Sequence, residues 1–210
     1  PGQPYLSSGS NPNNTGTYTM SWEPSTDSGG SGLKGYEVHI WGPGLIKEFV
    51  TTNSYTANNQ PESIYSYNVY AVDNAGNISP PSAASAFIVV DKSPPYEADI
   101  EINYNDNYAT SVNVTLGLYA SDLYTPVKQM QLSNDNITWS APEPYTETKP
   151  WTLPSGDGKK TVYAKFADIF GHWMATSVKD EITLDTTKPT TPGTPYLSSG
   201  TNPNNTGSFS

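Results

Sequence analysis

The sequence predicts an all-β chain: two tandem antiparallel β-sandwiches, then the first strand or strands of a third. Three observations predict it. Proline (19), glycine (17) and tyrosine (15) are abundant, while charged residues make up only 14% of the 210; this is the balance of strands broken by many turns. Apolar residues alternate with polar ones at period two in run after run, and no segment carries a 3.6-residue stripe. The chain also repeats itself. Residues 1–19, "PGQPYLSSGSNPNNTGTYT", return as residues 192–210, "PGTPYLSSGTNPNNTGSFS", with 14 of 19 positions identical at a constant offset of 191.

The first sandwich is predicted over residues 1–92. In "TYTMSW" Tyr18, Met20 and Trp22 share one face, in "GYEVHI" Tyr36, Val38 and Ile40 do, and in "YNVYAVD" Tyr67, Val69 and Ala71 do. The second, over residues 93–188, repeats the pattern. Val112, Val114, Leu116, Leu118 and Ala120 are followed by Met130 and Leu132, then Val162, Ala164 and Phe166, then Ile182 and Leu184. Turn clusters such as "STDSGGSG" and "PSGDGKK" separate the runs. A fainter repeat of about 95 residues relates the halves. "VVDKSPP" is echoed by "TLDTTKP", and "VYAVDNAGNIS" by "AKFADIFGHWM", which keeps the Asp-x-x-Gly spacing. Residues 189–210 read as a linker and the start of the next copy of the first unit.

Two resemblances follow from these motifs. "TMSWEPSTD" with Trp22, "GYEVHIWG" with Tyr36 and "YSYNVYAVDNAGNIS" with Tyr67 resemble a fibronectin type III module across most of residues 1–92. The resemblance implies a tyrosine corner at Tyr67. "VNVTLGLYASD", "VKQMQLSNDNITWSAPEPY", "KPWTLPSGDGKKTVYAKFAD" and "ITLDTTKP" resemble an Ig-like repeat of large prokaryotic surface proteins, with Gly171-His172 where that family often has Gly-Asn. Such modules serve as spacers, stalks and adhesive arms of secreted or cell-wall proteins, so the resemblances imply an extracellular or cell-surface location.

The composition excludes several functions. Net charge is −10, and all ten basic residues are lysine; without the forked guanidinium, and with a surface that repels polyanions, nucleic acid is not an expected partner. No run approaches the roughly 18 apolar residues of a membrane span. Cysteine is absent, which rules out disulfides and thiolate chemistry but says nothing of compartment. The only histidines, His39 and His172, fall in different predicted domains, and neither a nucleophile elbow nor a phosphate-cradling loop is present. No catalytic residues and no obligate cofactor are expected, so the chain reads as non-enzymatic.

Asp73 and Asp168 recur just before a glycine turn. An Asx-type hydrogen bond holding the turn accounts for them; a Ca²⁺ site shared with loop oxygens such as Asp27 is the alternative. Sequons at Asn13, Asn77, Asn113, Asn136 and Asn204 are glycosylation candidates where a host has the machinery. Trp41, Tyr70, Tyr119 and Tyr163 fall on the outward faces of their strands, either as β-formers or as a surface for glycans.

The expected function is a tandem-repeat segment of a long extracellular filament or an adhesin stalk. Its partners would be copies of itself along a fibre, or adjoining repeats of the same chain. The linkers "DKSPP" and "DTTKPTTPG" are short and proline-bearing, which favours stiffness. The rival expectation is a carbohydrate-binding or spacer module of a large secreted polysaccharide-active enzyme.

Overall fold

A computed structural model describes residues 1–194 of the chain; the expected start of a third domain falls largely on residues 195–210, outside the described residues. Every regular element among the described residues is a strand, and the strands form four sheets. In the first half, β1 (Tyr5–Ser8), β2 (Tyr18–Ser21) and β5 (Ser54–Ala57) make one sheet in the order β1-β2-β5. Facing it, β3 (Leu33–Trp41), β4 (Leu45–Val50), β6 (Ser63–Asp73) and β7 (Ile88–Val90) make a second, ordered β4-β3-β6-β7. All these pairings are antiparallel.

Period-two alternation decides which side chains close the sandwich. Tyr18, Met20 and Trp22 project from one sheet onto Tyr36, Val38, Ile40, Tyr65, Tyr67 and Val69 of the other, and all are buried. Trp22 meets Tyr36 edge-on with ring centroids 5.4 Å apart, and Tyr18 meets Tyr67 edge-on at 6.3 Å, the geometry that the ring quadrupoles favour. The Tyr18 and Tyr67 hydroxyls bond each other at 2.7 Å.

The tyrosine corner lies two residues earlier than the resemblance implied. Tyr65, not Tyr67, donates its hydroxyl to the Pro61 carbonyl, four residues upstream, at 2.8 Å. Both tyrosines face inward on β6. Tyr65 stands at the start of the strand, over the incoming chain, while Tyr67 reaches the opposite sheet.

After β6 the chain does not return as a long strand. It runs as "SPPSAASA", and serines spaced by three do the pairing. The Oγ atoms of Ser79, Ser82 and Ser85 accept from the backbone N–H of Ala71, Val69 and Tyr67. The N–H groups of the same serines donate to the carbonyls of those same residues. Two prolines and small residues cannot form a ladder here, so hydroxyls satisfy the β6 amides instead.

In the second half, β8 (Glu97–Ile102), β10 (Asn113–Ser121) and β13 (Thr148–Thr152) form one sheet, ordered β13-β10-β8. β9 (Tyr108–Ala109), β11 (Val127–Ser133), β12 (Glu143–Pro144), β14 (Gly158–Asp168) and β15 (Val178–Leu184) form the other, ordered β12-β11-β14-β15-β9. Only β9 pairs in parallel, against β15. Ile100, Ile102, Val114, Leu116, Leu118, Met130, Leu132, Val162, Phe166, Ile182 and Leu184 fill a core of its own. The fold is thus all-β, two sandwiches in tandem.

Candidate functional site

The two Asp-x-x-Gly turns fold alike. In the first, the Asp73 carboxylate accepts from the Asn77 N–H at 2.8 Å and from its Nδ2 at 2.7 Å; these bonds hold its pKa below the usual carboxylate value. In the second, Asp168 Oδ1 accepts from the N–H groups of Phe170 and His172, and Oδ2 pairs with His172 Nδ1 at 2.8 Å. Gly76 and Gly171 take φ of +93° and +82°, a conformation that costs an L side chain strain. Asp27 lies beside Asp73 in one shallow hollow and accepts from the Gly32 N–H. Asp168, in the other sandwich, does not join them.

Surroundings separate the two turns. Asp168 is 1% exposed. Asp91, which directly follows β7 at the end of the first sandwich, is 0% exposed and stands beside it. Ligand atoms of Asp91, Asp168 and His172 all lie within 4.8 Å of one another. Thr125, in the turn between β10 and β11, donates its hydroxyl to Asp91 Oδ2. In the same turn Asp122 Oδ1 accepts from the N–H groups of Tyr124 and Thr125. Its Oδ2 is buried without a hydrogen-bond partner. Burial pushes the Asp91 carboxyl up, the Thr125 bond opposes this in part, and repulsion from Asp122 and Asp168 adds to the rise.

Other candidate groups stay apart. His39 pairs with Glu37 on the outer face of β3 and stacks on Tyr70 at 4.4 Å, within the first sandwich. Trp41 is 47% exposed, and its Nε1 donates to Asn68 Oδ1. Tyr119 is also exposed, and Tyr70 and Tyr163 are half-buried.

The sequons divide sharply. Asn13 is 3% exposed; its Oδ1 accepts from Thr15 and Gly16 and its Nδ2 donates to the Thr17 carbonyl. A carboxamide so enclosed has no room for a glycan in the folded domain, which corrects the expectation for this position. Asn77, Asn113 and Asn136 are exposed, though the Asn77 Nδ2 is occupied by Asp73. Asn204 lies outside the described residues.

Sequence reasoning missed Asp91, Asp122 and Thr125. The echo of Asp91 by Asp185 was visible, but Asp185 is exposed. Asp91 is buried where residues of the second sandwich, Thr125 and Asp168, pack against it. No helix among the described residues is long and apolar enough to cross a membrane.

Exoglucanase B and endoglucanase B of Cellulomonas fimi are each 38% identical, over 102 and 103 residues, or 46% of this chain. The chain spans only 9–10% of the length of these relatives. A solved titin module, A71 from human cardiac muscle, is 26% identical with a TM-score of 0.35, covering 42% of this chain and 88% of that one. The family model described as the fibronectin type III domain matches residues 3–88, and the first sandwich is the part of the chain that carries it.

Proposed function

We propose that the chain is a non-catalytic, extracellular spacer within a larger polysaccharide-active protein. The observation that supports it most is the 38% identity to two glucanases in which the matching stretch is about a tenth of the whole. A module reused at that scale sets distances rather than performs the reaction. The interior agrees with such a role. Two aliphatic and aromatic cores supply rigidity, and the two acid–imidazole pairs, Glu37–His39 and Asp168–His172, lie in separate sandwiches. The test is the purified chain on soluble and insoluble β-glucans. The reading expects no reducing-sugar release and no retention on the insoluble polymer. Release would sink the non-catalytic assignment, and retention abolished by Trp41→Ala would make the module a binding one.

A filament or adhesin stalk is the second reading, and the return of residues 1–19 at 192–210 favours it. A unit that recurs with 14 of 19 positions unchanged suits an array of many copies. The copy number in the whole protein decides between the two: a few copies beside a glucan-cleaving domain fit the spacer, dozens fit the fibre.

A further inference from the structure

We infer that Asp91, Asp168 and His172 form a divalent-cation site that joins the two sandwiches, suited to an ion that accepts both oxygen and imidazole nitrogen, such as Zn²⁺ or Mn²⁺.

Charge burial is the first argument. Two carboxylates, 0% and 1% exposed, face each other across the junction. Among the described residues, none of the lysine ion pairs includes either. Burying Asp91 with no ion-pair partner, and Asp168 with only His172 beside it, is costly, and a divalent ion removes that cost. The donor set is the second argument. Three ligand atoms lie within 4.8 Å of one another, so a small inward adjustment lets them share one ion at the 2.0–2.2 Å typical of zinc–nitrogen and zinc–carboxylate bonds. Oxygen valence remains free, because Asp91 Oδ2 accepts only the Thr125 hydroxyl and Asp168 Oδ2 only His172 Nδ1.

Asp122 stands in the turn that brings Thr125 to Asp91, outside the three-ligand cluster itself. Its Oδ2 is buried and unpartnered, and its charge is felt by Asp91. An orphaned carboxylate oxygen is costly in a finished site and useful in one awaiting an ion. An ion bound at His172 Nδ1 takes the neutral ring with its proton on Nε2 and replaces the hydrogen bond to Asp168. The first sandwich contains its own control. Asp73 makes the same turn with Asn77 in place of the histidine and no buried carboxylate opposite.

The site crosses the linker, so its occupation fixes one sandwich against the other. The test is the 210-residue chain, stripped with chelator and titrated with ZnCl₂, MnCl₂ and CaCl₂, read by calorimetry and melting temperature. The expected result is one zinc or manganese ion per chain and a raised melting temperature. Binding should weaken at least ~10-fold in His172→Asn, a variant that copies the Asn77 turn and so keeps the fold. Asp91→Asn should lose it equally, and His39→Ala should not. No binding by any of the three ions, or binding undiminished in both His172→Asn and Asp91→Asn, overturns the site. Stabilisation by Ca²⁺ alone that survives His172→Asn overturns the imidazole ligand.

Discussion

The hydroxyl pair at the centre of the first sandwich offers a quantitative test of how this core is specified. Tyr18 and Tyr67 are 2% and 0% exposed, and their hydroxyls bond each other at 2.7 Å. Burial, the largest influence on both, pushes Tyr18 up to about 12 and Tyr67 higher still, so neither ionises while the domain is folded. Tyr67→Phe removes one hydroxyl and strands the other in an apolar interior. That costs about 1–3 kcal/mol, the penalty for an unpaired buried polar group. For a domain of this size it corresponds to a fall in melting temperature of about 4–8 °C per kcal/mol. Tyr18→Phe should cost about the same. The double variant strands nothing and should lie within about 1 kcal/mol of the parent. Urea unfolding, with hydrogen exchange at β2 and β6 amides to localise the change, supplies the four free energies. Additive losses in the double variant would refute the reasoning, because they would mean that each hydroxyl is satisfied separately.

Other outcomes follow from the same coordinates. Ser82→Ala deprives the Val69 N–H of its acceptor and should cost about 1–3 kcal/mol, whereas alanine at a serine that merely faces solvent should move stability by less than about 0.5 kcal/mol; urea midpoints compare them. Gly171→Ala places a Cβ at φ +82° and should destabilise by about 1 kcal/mol or more, measured by melting temperature. Asp135 is held down to about 2 by the N–H groups of Ile137 and Thr138. Its contribution is therefore present above the unfolded value of about 3.9 and is lost as pH falls toward 2. Melting temperature should fall more steeply between pH 4 and 2 in the parent than in Asp135→Asn, and parallel profiles would count against the bonds.

Much of this fold was legible because strand periodicity is a local property. Tyr18, Met20 and Trp22, or Val162, Ala164 and Phe166, need only their own alternation to declare an inward face, and all six are buried. What sequence could not give was partnership across distance. Tyr65 and Tyr67 share a face, so alternation cannot say which one bonds the chain upstream. The serines at 79, 82 and 85 carried a three-residue spacing that belongs to neither strand nor helix, yet each satisfies a β6 amide. Asn13 advertised itself as a sequon, but its burial depends on contacts with a loop and with β7. Asp91 was one of two aspartates in matching linker motifs. Its burial comes from partners in the second sandwich, Thr125 and Asp168, far away in sequence.

The most direct measurement of the spacer assignment is electron microscopy of the native, full-length protein. The account predicts discrete particles, each with a globular catalytic body joined to a narrow beaded arm, together with glucan-cleaving activity that copurifies with them. Regular filaments with an axial repeat matching one two-sandwich unit, free of such activity, would contradict it and establish a structural polymer instead.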